Sequence, residues 1–216
     1  MHITLIAGAR PNFIKISPII NAIKKKQSEG ADIQYSLVHT GQHYDKLMSG
    51  LFFEELNIPE PDVNLAAGSG TQAEQTASIM VTFEKYLMEH PTDLVLVVGD
   101  VTSTMACSIV AKKMGIQLAH VEAGIRSFDM SMPEEINRIV TDSLADYFFI
   151  TSDFAKENLK KNGINVSLLS DYYYSTYSGR DCTLVINYSA LKKERIAETV
   201  ERMSMAIIGV SKAVQQ

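Results

Sequence analysis

The stretch "DLVLVVGD" (Asp93–Asp100) constrains the fold more than any other part of the chain. Its apolar run, Leu94–Val98, is too short for a globular helix and is closed by a glycine and a carboxylate. It therefore reads as a strand buried on both faces. Pro91 ends a helical pattern before it (Thr71–Glu89), and a second helical pattern follows from Ser103 to Met114, with Gly115 placed as a C-cap. The same alternation runs along most of the chain. Ile3–Gly8, Ile33–His39, Ile116–Glu122 and Asp146–Ser152 read as strands, while Phe13–Lys26, Pro133–Leu144 and Asp153–Asn162 read as helices. Successive βα units predict an α/β fold, a Rossmann-like parallel sheet with helices on both faces.

In such a sheet, ligands bind beyond the carboxyl ends of the strands. That edge is where the polar residues collect. Arg10 and Lys15 follow the first strand, and His39, Gln42 and His43 follow the second. Asp100 follows "VLVVG", and Glu122 and Arg126 follow "LAHV". Each also has a plain structural reading. Lys15 is either a ligand for phosphate or sugar oxygen near a helix N-terminus or a solvated helix residue. Asp100 is either a carboxylate in a half-desolvated cleft or a helix N-cap, for which Thr102 and Ser103 compete. Glu122 either opens onto a pocket above Gly124 or pairs with Arg126. Glu134 completes an S-x-x-E capping box with Ser131, with Pro133 suited to the first turn. Arg138 has the spacing to pair with Glu134 or Glu135 across one helical turn.

Other chemistries lack their signatures. The first βα turn, "GARPNFIK", has no G-x-G-x-x-G, and the chain has no G-x-x-x-x-G-K-[ST] loop, which argues against NAD, FAD and ATP. No cofactor is expected. His39 and His43 are four apart, but Gly41 interrupts them and no third metal ligand is evident. A net charge of −5 with scattered basic residues gives no footprint for nucleic acid or an anionic membrane. Cys107 and Cys182 are the two cysteines, far apart, so no disulfide framework is expected. With no apolar run near the ~20 residues that cross a bilayer, the expectation is a soluble cytoplasmic protein.

After Gly163 the pattern changes. "NVSLLSDYYYSTYSGRDC" is rich in Ser and Tyr without a clear period, and it leads to a strand-like "TLVINY" and a final helix with Ile196, Val200, Met203 and Ile207 on one stripe. A boundary is placed near Ile164, giving a Rossmann-like domain over 1–164 and an atypical tail (loop, strand, amphipathic helix) over 165–216.

"GARPNFIK", "HTGQHYD", "VVGDVTST", "HVEAGIRS" and "MPEEINR", in that order and spacing, resemble the N-terminal half of the non-hydrolysing UDP-N-acetylglucosamine 2-epimerases over residues 1–164. The resemblance implies the first of two Rossmann-like domains of a GT-B fold, with the nucleotide sugar in the cleft between them. It implies an isomerase that interconverts UDP-GlcNAc and UDP-ManNAc by elimination and re-addition of UDP, supplying surface polysaccharide precursors. By the same resemblance Asp100, Glu122 and Glu134 match acid/base carboxylates and Arg138 their companion arginine. Arg10 and Lys15 match substrate contacts, and Gln42 and His43 lie in a segment lining a possible allosteric site. UDP-GlcNAc and UDP are the implied ligands and a homodimer the implied assembly. The second domain's "T-x-H-R-x-E-N" segment is absent, so weak or no turnover is expected of this polypeptide alone. The tail is loosely similar to the C-terminal end of a PLP-dependent aminotransferase-like protein, without a cofactor lysine. The alternative reading is a non-catalytic nucleotide-sugar-binding or partner module.

Overall fold

The computed structural model describes residues 1–41, 59–164, 167–168 and 184–186. Strands β1 (His2–Ala7), β2 (Gln34–His39), β3 (Val63–Asn64), β4 (Leu94–Val98), β5 (Gln117–Val121) and β6 (Tyr147–Phe149) lie in the order β3-β2-β1-β4-β5-β6, all parallel. The strand expected in the tail is β8 (Leu184–Ile186), which runs antiparallel against β6. A two-residue strand that the sequence pattern did not suggest, β7 (Ser167–Leu168), closes the edge antiparallel to β8. Gln42, His43, Cys182 and the expected final helix lie outside the described residues.

β4 is the central strand, and all of Leu94–Val98 is buried. Its pleat sends alternate side chains to opposite faces. Val95 and Val97 join Ile6, Val38, Leu118 and Phe148 on one face. That face is covered by α2 (Gln72–Glu89), α3 (Thr102–Lys113) and α5 (Asp153–Lys161), through residues such as Ile79, Phe83, Val110 and Leu159. Leu94, Leu96 and Val98 join Leu5, Leu37 and Ala119 on the other face, under Phe13, Ile16, Ile20 and Ile23 of α1 (Arg10–Ser28). The apolar stripe read from the sequence is therefore the buried face of α1. The helix begins three residues before its first stripe residue, because Pro11 suits its first turn and Asn12 holds the entry. The Asn12 Oδ1 accepts hydrogen bonds from the Gly8 and Ala9 N–H groups at 3.1 and 2.8 Å.

The chain moves from β1 outward to β2 and β3, then returns so that β4 lies on the other side of β1. The crossovers on either side of the β1–β4 pair therefore diverge, and a crevice opens at its carboxyl end. Asn12 spans that crevice by donating from Nδ2 to the Val98 carbonyl at 3.0 Å. Gly8 lets α3 come in beside it: a Cβ there would stand 2.4 Å from Ser103 Oγ and 2.7 Å from Ser103 Cβ. Ser103 is in turn hydrogen-bonded to Thr40 at 2.6 Å, so it has no free direction to yield. Gly8→Ala is expected to lower unfolding stability by about 1–3 kcal/mol through overpacking, measured as a shift in the urea midpoint. An unchanged midpoint would show that α3 retreats at no cost.

Candidate active site

The polar side chains at the crevice come from the turns and helix starts that follow β1, β4 and β5. Gly99 follows β4 with φ +71°, and its N–H donates to the Val121 carbonyl at 2.9 Å, locking the ends of β4 and β5 together. On its open side, the position of an absent Cβ lies 3.4 Å from Glu122 Oε2, 3.6 Å from Lys15 Nζ and 3.8 Å from Asn12 Nδ2. Three side chains from two βα turns thus converge over one glycine. Lys15 reaches from α1 and donates to Glu122 Oε2 at 2.5 Å. The solvated-helix reading of Lys15 and the Glu122–Arg126 pairing are both replaced by this contact.

Glu122 itself takes a left-handed conformation, φ +71°, which is uncommon outside glycine and asparagine. The reason is visible in its neighbours. The Glu122 and Ala123 N–H groups both donate to the Phe149 carbonyl, at 2.9 and 3.1 Å. Tying two successive amides to one acceptor bends the chain sharply at the end of β5, and the side chain turns back over the crevice.

Asp100, the residue after Gly99, is not an N-cap. The cap of α3 is Val101, with no side-chain hydrogen bond. The Asp100 carboxylate instead forms a short ion pair with Arg138 Nη2, and its carbonyl accepts from Asn137 Nδ2 at 2.8 Å. Both partners sit on α4 (Pro133–Leu144), which therefore lies across the end of β4.

The capping box expected at Ser131 does not form. Ser131 Oγ donates to Asp129 at 2.6 Å, so its hydroxyl is engaged upstream, and the helix cap is Met132. The pair of glutamates then divides by burial. Glu134 is exposed and makes no hydrogen bond or ion pair among the described residues. It lies one helical turn before Arg138, on the same face. Glu135 is 1% exposed, and accepts from the Ser127 N–H and hydroxyl, the Phe128 N–H and Arg138 Nη1, at 2.9–3.1 Å. Burial pushes the Glu135 carboxyl up, but these donors, led by the Ser127 N–H and Arg138, outweigh it and hold the group below the ordinary glutamate value. Burial likewise works against the Arg138 charge, and Glu135 and Asp100 more than compensate, raising its pKa.

Of the other sequence candidates, Arg10 opens α1 and is exposed. His39 is buried and stacks on Phe13 with ring centroids 5.5 Å apart, and its Nδ1 accepts from the Gly41 N–H. Burial holds the His39 imidazole below its usual range, against a hydrogen bond with Asn64 that acts the other way. Among the described residues no cluster of His, Cys, Asp or Glu has the arrangement of a metal site. No helix among them is long and apolar enough to cross a membrane.

Sequence reasoning missed Asn12, Asn137 and a buried group behind the crevice. There, His120 Nδ1 faces Asp142 Oδ1 at 2.7 Å and its Nε2 faces the Gly99 carbonyl at 2.9 Å. Asp142 Oδ2 accepts from the Gly124 N–H and from Arg126 Nη1, at 3.1 and 2.6 Å. A usable signal existed for Asp142: Glu135, Arg138 and Asp142 stand at i, i+3 and i+7, one face of a helix.

A family model described as "UDP-N-acetylglucosamine 2-epimerase" matches residues 25–169. The chain belongs to the UDP-N-acetylglucosamine 2-epimerase family. A UDP-N-acetylglucosamine 2-epimerase of Methanocaldococcus jannaschii is 47% identical over 164 residues, which are 76% of this chain and 43% of that protein. Its crystal structure in complex with UDP-GlcNAc and UDP superposes with a TM-score of 0.71, covering 76% of this chain and 44% of that one. A UDP-2,3-diacetamido-2,3-dideoxy-D-glucuronate 2-epimerase of Pseudomonas aeruginosa is 44% identical over 163 residues, 76% of this chain and 45% of that protein. A lipopolysaccharide outer core galactosyltransferase, 19% identical with a TM-score of 0.56, shares the fold alone and extends the likeness to GT-B proteins. The chain thus corresponds to the N-terminal half of these epimerases and spans under half the length of the curated relatives it matches.

In this epimerase-family domain, Glu135 ties the Ser127–Phe128 loop to Arg138, so its charge has a stability signature. Its folded pKa is depressed, so its contribution is complete above the unfolded glutamate value of about 4.3 and is lost as pH falls through the lower folded value. Glu135→Gln is expected to cost about 2 kcal/mol at neutral pH, and the gap to wild type should narrow below about pH 4.3. Urea titrations across pH check both. A gap independent of pH would mean that the carboxylate is not charged where these donors meet it.

Proposed function

We propose that this chain carries the acid/base half of a 2-epimerase acting on a UDP-linked 2-acetamido sugar, with UDP-GlcNAc as substrate. The observation that carries the reading is two cation-paired carboxylates at adjacent strand ends, Glu122 with Lys15 over Gly99, and Asp100, the next residue in the chain, with Arg138. The relatives support the substrate class, since the Methanocaldococcus jannaschii and Pseudomonas aeruginosa proteins are both named as 2-epimerases of UDP sugars.

The chemistry asks for what this edge holds. A carboxylate among Asp100, Glu122 and Glu134 takes the proton from C2 of the sugar. The C1–O bond to UDP breaks with its electron pair leaving on the diphosphate, and a C1–C2 double bond forms. UDP then re-adds at C1 while a carboxylate on the other side returns a proton to the opposite face of C2. Acid/base assistance of this kind accounts for about 10²–10⁴ in rate. Arg138 keeps Asp100 oriented, and Arg10 and Lys15 supply positive charge toward the leaving diphosphate. In this reading Gln42 and His43, which lie outside the described residues, are assigned to an allosteric site on the resemblance alone. No resident cofactor is required, because the proton and the leaving group balance within the substrate. The reading includes residues 1–164 as the Rossmann-like unit with 165–216 as the tail, a cytoplasmic location and a homodimer.

A second reading, a binding module without catalysis, is favoured by the coverage: the chain accounts for only 43–45% of those relatives' lengths. Exchange at C2 separates the two. In D2O the chain is expected to bind UDP-GlcNAc and to place deuterium at C2 slowly, read by mass spectrometry. Glu122→Gln and Asp100→Asn should each reduce that exchange about a hundredfold. Binding without exchange favours the module, and neither binding nor exchange at millimolar ligand rejects both.

A further inference from the structure

His120 and Asp142 are the least exposed ionisable groups near the crevice, with side chains 1% and 0% exposed, and neither reaches the open side of Gly99. Their contacts nonetheless run to both site-bearing turns. The His120 Nε2 meets the carbonyl of Gly99, the residue before Asp100. Asp142 Oδ2 holds the N–H of Gly124, two residues after Glu122. We propose that Asp142 and His120 form a carboxylate–imidazolium strut, positioning residues that set the Gly99–Asp100 and Glu122–Gly124 turns at a common spacing. That these turns bear acid/base groups rests on the function proposed above; the strut itself does not.

The protonation follows from hydrogen-bond accounting. The Gly99 carbonyl at 2.9 Å can only accept. Asp142 Oδ1 stands at 2.7 Å on the other side of the ring, and the carboxylate is ion-paired to Arg126 through Oδ2. Either neutral tautomer of His120 would set a bare ring nitrogen against an oxygen lone pair in a site closed to water, a contact with nothing to offset its repulsion. A ring with hydrogen on both nitrogens satisfies both acceptors. Asp142 then stands between two cations, His120 through Oδ1 and Arg126 through Oδ2, with the Gly124 N–H also on Oδ2, so the group carries one net positive charge behind the crevice.

A strut differs from ordinary packing in what restores it. The Nε2 of glutamine stands near that of histidine, so His120→Gln keeps a donor for the Gly99 carbonyl, whereas His120→Ala removes it. In 15N-labelled wild-type chain at neutral pH, His120 is expected to show both ring nitrogens protonated, and Asp142→Asn should convert it to a single protonated nitrogen. A wild-type ring with one bare nitrogen overturns the proposal, and this readout needs no variant to fold. In the same spectra, His120→Ala should move the amide resonances of Gly99, Asp100 and Glu122, while His120→Gln leaves those of Gly99 and Asp100 near their wild-type positions. Equal displacement in both variants overturns the positioning role. Where wild type exchanges the C2 proton, His120→Ala should slow that exchange about tenfold or more, as a small misplacement of a reacting group does, and His120→Gln should restore it to within about threefold. A wild type without exchange counts against the proposed function, while the ring and amide readouts still decide the strut.

Discussion

The β1–β4 pair is the constraint on which the rest of the molecule depends. Its two strands share a sheet while their crossovers leave in opposite directions, so the carboxyl end of the pair cannot be roofed by either helix. Left to itself, such a gap would expose strand-end carbonyls. Asn12 closes the base of it by accepting from the Gly8 and Ala9 amides and donating to the Val98 carbonyl. One side chain thus satisfies groups on both strands and starts α1. Lys15, three residues on, then reaches over the crevice rather than away from it.

α4 solves the complementary problem on the far side. Charges placed along one of its faces are desolvated, and a buried pair contributes little net stability unless its remaining lone pairs are also filled. Here they are. Glu135 fills its oxygens with two loop amides, a hydroxyl and Arg138, and Arg138 spends its second nitrogen on Asp100. Removing one member leaves an uncompensated charge, so the helix, the Ser127–Phe128 loop and the end of β4 are mechanically joined. This makes α4 a bar that holds spacing between turns more than a source of stability.

Much of this was legible in the sequence because it follows from periodicity. The four long parallel strands and the helices over Gln72–Glu89 and Pro133–Leu144 lie where pattern and punctuation placed them, and the strand expected over Asp146–Ser152 is present as the shorter Tyr147–Phe149. The address of the polar residues at the carboxyl edge followed from parallel topology alone. Partners were less legible, because pairing is set by distances between segments far apart in the chain. Glu122 has an arginine four residues away, yet it binds a lysine 107 residues distant. Ser131 and Glu134 satisfy a capping pattern, yet Asp129 takes the serine first through a tighter local turn. Local spacing names the residues competent for a contact, and tertiary geometry chooses among them.

The conformation of Glu122 shows how that choice is enforced. A left-handed, non-glycine residue costs on the order of 1 kcal/mol, and Gly124 stands only two residues on, so a slight change of register would have put glycine at the strained place. The register is not free. The pairings Val98↔Val121 and Val121↔Phe149 align the ends of β4, β5 and β6, and they commit the Gly99 amide to Val121 and the Glu122 amide to Phe149. Gly124 is needed where it is, since a Cβ there would stand 2.4 Å from the Ala155 carbonyl oxygen of α5. With both neighbours bound to their own contacts, the strain falls on the residue between them. That residue is the carboxylate whose direction the crevice requires.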